Sequence, residues 1–162
     1  MDLNKPLYEH EGQLISVETF VQAMRPYVQK GDTLFLEIDT MRFGAIVPGI
    51  SKNELMEAIF TVFYRLVGEE GNLVIPTFSY SWGEDAPRKY FDVLHTPSKV
   101  GIFSEYFRTR SGVRRSSDPM FSQGVWGKDQ SWLVQDKNNT FGKGSIYEKA
   151  HQLKAKLISF GL

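Results

Sequence analysis

Two hydrophobic periods alternate along this chain, and that alternation constrains its fold more than any other feature. Thr33–Asp39 (TLFLEID) and Asn72–Phe78 (NLVIPTF) are short, almost continuously apolar runs. Between them, Leu55, Met56, Ile59, Phe60, Val62, Phe63, Leu66 and Val67 recur at helical spacing. Short apolar runs bounded by turn residues read as buried strands, and three- and four-residue spacing reads as helix. The exchange continues on both sides. Val17, Phe20, Val21, Met24 and Val28 follow Ser16, a good N-cap, and predict a helix over 17–29 that Pro26 breaks and Gly31 stops. Ser51-Lys52-Asn53-Glu54 is a capping-box pattern that opens the central helix, which runs to Val67 before Gly68. Thr96-Pro97 pairs an N-cap with proline at the first helical position, and predicts a helix with Val100, Phe103 and Phe107 inward and Gly112 at its end. Phe121–Gly127 predicts a third strand and Asp129–Thr140 a polar excursion. Ser145-Ile146-Tyr147-Glu148 predicts a short capped helix, and Ala155–Phe160 a last strand. Residues 1–15 read as an extended lead-in. Helices placed between strands return each strand in the same direction, so the expected fold is α/β: a three-layer sandwich with a mainly parallel central sheet.

Composition removes several classes of function. The 162 residues carry 19 Lys+Arg against 19 Asp+Glu, so neither nucleic acid nor a membrane surface is met by excess positive charge. With no cysteine there is no disulfide framework, zinc-thiolate site, iron–sulfur cluster or thiol nucleophile. No apolar run approaches the roughly 18 residues of a membrane span, and the first residues lack a signal-peptide core, so a cytoplasmic protein is expected. The phosphate-loop, dinucleotide, nucleophile-elbow and zinc-protease motifs are absent. His10, His95 and His151 share no ligand spacing, read as surface residues, and give no reason to expect a metal. Asn138-Asn139-Thr140 matches a glycosylation sequon, which has no meaning without secretion.

Three stretches suit ligand chemistry. Asp39-Thr40-Met41-Arg42-Phe43-Gly44 follows the first strand, and in α/β sheets ligands sit at the carboxyl ends of strands. It brings an arginine and a glycine that permits close approach, although an ordinary strand-to-helix loop would look the same. Gly112-Val113-Arg114-Arg115-Ser116-Ser117-Asp118-Pro119 sets guanidinium forks beside hydroxyls, a match to phosphate oxygens or a solvated basic turn. Thr96-Pro97-Ser98-Lys99 is a helix start whose free N–H groups either receive an anion or are simply capped.

These stretches together, in the order GDTLFLEID–TMRFG, GEEGNLVIPTFSYSW, FDVLHTPSKVGIFSEYFR, GVRRSSDPMFSQGVWG and FGKGSIYEKA, resemble the aminoglycoside 3-N-acetyltransferase family. The resemblance runs from about Gly31 to Leu162. It implies an acetyl-CoA-dependent transferase that acylates an amine of an amino sugar or aminoglycoside, with CoA and the acceptor as its partners and no metal. It further implies that Thr40, Met41, Arg42 and Phe43 line the pantetheine path, and that Arg115 and Ser116 meet the polar parts of the cofactor. Arg42 and Arg115 are therefore expected around one cleft.

The chain departs from the family pattern in ways that bear on its substrate. Antibiotic-modifying members resemble it with a serine pair in place of Asp39-Thr40, a histidine in place of Asp118, and often another in place of Phe121. The Asp-Pro form is more similar to relatives associated with bacterial surface-polysaccharide sugars. The family's catalytic histidine segment lies beyond the last residue here, so the resemblance implies an amino-terminal, cofactor-side part of the domain, spanning 1–162, with no catalytic residue to assign. Apolar sheet surface beside Leu157, Ile158 and Phe160 is then expected to stay uncovered and to invite association into a homo-oligomer. Two other readings stand beside the transferase: a non-catalytic CoA-binding remnant, and an α/β module whose Arg-Ser turn holds a nucleotide sugar.

Overall fold

The computed structural model describes residues 2–135 and 139–161; Met1, Leu162 and residues 136–138, which include the first residue of the sequon, lie outside it. The apolar runs do become the central strands. Strands β3 (Thr33–Ile38) and β5 (Asn72–Pro76) pair in parallel, and β8 (Lys156–Phe160) pairs in parallel with β3 on its other side. The strand expected over Phe121–Gly127 forms as β7 (Gln123–Gly127) but runs antiparallel to β5. A two-residue strand without apolar alternation, β6 (Arg114–Arg115), explains this. It runs antiparallel to β7, and therefore in the direction of β5. The crossover helix thus does return the chain in the same sense, to β6, and β7 follows from β6 by a hairpin. In the order β6-β7-β5-β3-β8, only β7 opposes the other strands.

Helices cover both faces of the sheet. On one side lie α1 (Val17–Met24), α2 (Lys52–Val67) and α3 (Ile102–Thr109). Leu34, Leu36, Leu73 and Ile75 point to this side and are buried with Phe63, Phe103 and Phe107 in the main core. Phe35, Val74 and Val125 alternate to the other face, under α4 (Gln130–Leu133) and α5 (Ile146–Gln152), where Leu133 and Ile146 complete a small second core. Buried Lys149 crosses from α5 to α4 and donates to the carbonyls of Trp132 at 2.8 Å and of Gln135. Those carbonyls lie at and beyond the end of a four-residue helix, where the helical ladder no longer supplies regular partners.

The amino-terminal residues are not a simple lead-in. β1 (Pro6–His10) and β2 (Gln13–Ser16) form a hairpin, and β4 (Ala45–Ile46) adds antiparallel to β1. Glu11 and Gly12 turn it with φ of 49° and 76°, the positive values a two-residue hairpin turn needs. The helix expected over 17–29 stops after Met24, two residues before Pro26, because proline has no N–H to continue the ladder. α2 matches its expectation closely: the Ser51 hydroxyl accepts from the Glu54 N–H, and Gly68 closes the helix. The third helix starts at Ile102, not beside Thr96-Pro97. The Lys99 N–H is already bonded to the Phe78 carbonyl at 2.8 Å, and the Thr96 hydroxyl accepts from the Asp92 N–H, so residues 96–101 stay laid along the loop. Among the described residues no helix is long and apolar enough to cross a membrane.

Candidate functional site

The carboxyl ends of β3, β5, β6 and β8 all open at one edge of the sheet, where α/β folds place ligands. At the end of β3 the chain makes a tight turn over Thr40–Arg42. Asp39 caps it, its Oδ1 accepting from the Met41 N–H at 3.0 Å, and its Oδ2 lies 3.4 Å from Arg42 Nε. Two residues of this turn face the interior. Thr40 is buried, and its carbonyl accepts from the buried Tyr8 hydroxyl at 3.0 Å. Phe43 packs edge-on against Tyr8 and Phe160, with centroids 5.5 and 5.9 Å apart. The other two face out: Met41 is 59% exposed, and the Arg42 side chain 70% exposed. Gly44 is required by its own scaffold. Its φ is +135°, and a Cβ there would stand 2.5 Å from the Glu9 carbonyl oxygen. Its close approach is thus to β1.

Arg115 and Ser116 have internal partners. The Arg115 guanidinium is buried: Nε donates to Thr77 Oγ1 and Ser122 Oγ at 3.2 and 3.1 Å. Nη1 donates to the Thr96 carbonyl at 2.5 Å and the Val93 carbonyl at 3.4 Å, and Nη2 to the Thr77 carbonyl at 2.6 Å. The Phe91 ring closes over it with the centroid 4.9 Å away. Burial, helped by nearby Arg108 and opposed by Glu105, pushes the guanidinium pKa down to about 10. Ser116 Oγ accepts from the Gln123 N–H at 2.9 Å. Arg42 and Arg115 share the carboxyl edge, but β5 and β7 separate their strands, three strand spacings or roughly 14 Å. Of the six residues singled out from the sequence, Met41 and Arg42 offer their side chains to solvent, and the others build the support beneath.

Beside them the structure gathers a second set, aromatic residues drawn from distant parts of the chain. Phe78, Tyr80 and Phe121 meet edge to face with centroids 5.3–6.0 Å apart, and Phe121 continues through Phe141 to Tyr147, which stacks on Phe35. Tyr80, Trp82, Tyr90 and Phe141 are exposed. Asp118 folds the turn between β6 and β7: Oδ1 accepts from the Met120 and Phe121 N–H groups, and Oδ2 from the Thr140 hydroxyl at 2.5 Å. The Tyr147 hydroxyl accepts from Gln123 Nε2 at 2.9 Å. Burial pushes the Tyr147 phenol above its ordinary pKa, the Gln123 bond works against this, and the Asp118 and Glu37 carboxylates add to it. Next to this hydroxyl, Gln123 Oε1 is buried without a hydrogen-bond partner. All three histidines are exposed, and His95 Nδ1 is held 2.9 Å from Asp92 Oδ1.

Comparison with known proteins identifies the relatives of this arrangement. The chain is 27% identical to the SPbeta prophage-derived aminoglycoside N(3')-acetyltransferase-like protein YokD of Bacillus subtilis (strain 168), over 54% of this chain and 39% of that protein. Among solved structures, sisomicin-bound AAC-VIa superposes with a TM-score of 0.74 at 23% identity, over 90% of this chain and 59% of that one. AAC-IIIb in a binary complex with CoASH gives the same TM-score and coverage at 19% identity. The chain therefore spans about two fifths of the curated relative's length and three fifths of these structures. The aminoglycoside 3-N-acetyltransferase family model matches residues 49–162, well over half of the sequence, and the chain belongs to that family.

Proposed function

We propose that this chain forms the acetyl-CoA side of an N-acetyltransferase whose acceptor is an amine on an amino sugar or aminoglycoside. The carrying observation is the exposed Arg42 guanidinium, set on a capped turn at the carboxyl edge of the sheet beside exposed Met41. The residues present fit CoA in part. With Asp39 Oδ2 no nearer than 3.4 Å to Nε, the rest of the Arg42 fork is available to a phosphate. Met41 offers a polarizable apolar wall to a pantetheine arm. Thr40 and Phe43 shape the turn from beneath, and Arg115 and Ser116 hold the neighbouring loop. Exposed Tyr80 and Trp82 supply faces for a sugar ring, and Glu37, Asp118, Glu84 and Asp85 supply charge opposite to that of an ammonium group.

In the transfer, the amine nitrogen attacks the thioester carbonyl carbon, the carbon–sulfur bond breaks, CoA leaves as the thiol, and a base takes the amine proton. A second reading, CoA binding without turnover, is favoured by the exposure of His10, His95 and His151, because a base that acts in the transition state works best in an enclosed site. Calorimetric titration with CoA tests binding, with loss of the signal expected in Arg42→Met. Binding of a nucleotide sugar in place of CoA would sink the proposal. Thiol release from acetyl-CoA across a panel of amino sugars and aminoglycosides separates the two readings. The 162-residue chain is expected to bind weakly and to release little thiol, since a positioned base contributes about 10²–10⁴-fold to rate.

A further inference from the structure

We infer that Arg115 is a positioning residue, which clasps both feet of the Thr77–Thr96 loop and thereby presents the loop, not its own guanidinium, to the ligand. This rests on the proposal that the carboxyl edge is the ligand site. The loop leaves the sheet at Thr77, the residue after β5, and returns at Val93–Thr96. One guanidinium donates to both feet: to the Thr77 hydroxyl and carbonyl on the outgoing side, and to the Val93 and Thr96 carbonyls on the returning side. Its bond to Ser122 Oγ adds the start of β7, and Ser122 Oγ itself donates back to the Thr77 carbonyl at 2.8 Å. Phe91, on the returning foot, lies across the guanidinium.

No carboxylate is among these partners. The buried cation is held by carbonyls, hydroxyls and a ring, a geometry that needs the planar five-donor fork. Lysine, a point charge with three donors, cannot reach Thr77, Ser122 and the returning foot at once. With those donors so engaged and the side chain buried, Arg115 is poorly placed to grip a phosphate. The loop it closes carries Tyr80, Trp82 and Tyr90 exposed, and on its returning foot the Asp92–His95 pair. Its neighbour Arg114 is exposed on the same two-residue strand and provides a matched control.

The test is hydrogen exchange in the free protein combined with CoA titration. Arg115→Lys should speed exchange of the Leu94, His95, Thr96 and Lys99 amides by about tenfold or more, since each bond to a charged group is worth at least that factor. The buried amides of β3, β5 and α2 should keep their native rates, which a general loss of stability would not allow. Arg114→Lys should change neither. Phe91→Leu, which leaves every hydrogen bond of the clasp in place, should loosen the same amides to a smaller extent and guards against an Arg115 variant that fails to fold. CoA affinity should fall in Arg115→Lys in step with loop opening, because binding is diluted by the fraction of competent loop. Native loop exchange in Arg115→Lys would overturn the inference, as would a loss of CoA affinity with no loosening of the loop. If the parent protein binds no CoA, the proposed function fails while the exchange arm still decides the clasp.

Discussion

The two faces of the sheet are built to different standards. On the face of α1, α2 and α3, twenty buried residues form one continuous core, and the partly buried rings of Phe20, Phe43 and Phe160 pack against it around Phe63. On the face of α4 and α5, Val74, Val125, Leu133 and Ile146 are buried with a few partly covered neighbours, while Leu157 on β8 stays 67% exposed beside them. Leu157 is the register partner of Phe35, so the thin face thins further toward β8. The contrast shows that burial, and with it stability, is divided unequally between the faces. The first holds the strands in place, and the second leaves Phe141 exposed and Tyr147 and Glu37 only half-buried at the carboxyl edge. Leu157 is open as expected, whereas Ile158 and Phe160 are half-buried against the main core.

The largest effect should come from breaking the thick face. Phe63 is fully buried between Phe20 and Phe160, and Phe63→Ala should cost about 3–5 kcal/mol in denaturant unfolding. Equal costs on both faces would show that the division is false. Leu133→Ala, the matched deletion in the small core, should cost about 2–3 kcal/mol, because a shallow layer can collapse around the gap.

A smaller effect is expected outside both cores, where Glu57 on α2 accepts from Arg110 Nη2 at 2.8 Å and from the Tyr106 hydroxyl. The Arg110 bond first, then the Tyr106 bond, hold the Glu57 carboxyl below its ordinary pKa despite some burial. The unfolded chain therefore takes up this proton at a higher pH than the folded one. The contribution is complete above the ordinary glutamate range and fades as pH falls through the lower folded value. Melting temperatures measured from neutral pH down to about pH 3 should show Glu57→Gln less stable than the parent at neutral pH, with the gap closing in acid. A gap that widens in acid would reverse the sign of this linkage. The smallest effect should be that of Leu157→Ser, within about 0.5 kcal/mol, since little of that side chain leaves water. A large loss would mean that the thin face is covered in solution, and sedimentation would then reveal the association.

Much of the layer order was legible in the residues, and the exceptions share a cause. α2 could be read to within a residue because its stop, its cap and its apolar period are all local. The β1–β2 hairpin carried a readable signal in Glu11-Gly12, but its strands are too short and too mixed in polarity to stand out. β6 had no signal at all: two arginines become a strand only because β7 offers them a ladder. α3 began late because Phe78, 21 positions before Lys99, had claimed a backbone donor that the local pattern assigned to a helix.

The site residues divide in the same way. Arg42 could be placed from sequence because an arginine just after a buried strand, on a turn capped by its own Asp39, emerges at the carboxyl edge whatever else the chain does. Arg115 could not. Whether a guanidinium meets a ligand or the protein's own carbonyls depends on which backbone groups the tertiary structure leaves without partners. Those groups, on Thr77, Val93 and Thr96, lie 19 to 38 positions away in the chain. Periodicity and capping act over a few residues, so the sequence alone determines α2, the central strands and the edge of the sheet at which Arg42 emerges. The satisfaction of buried donors and acceptors is a property of the whole packed chain, and only the tertiary structure decided that Arg115 would be buried among them.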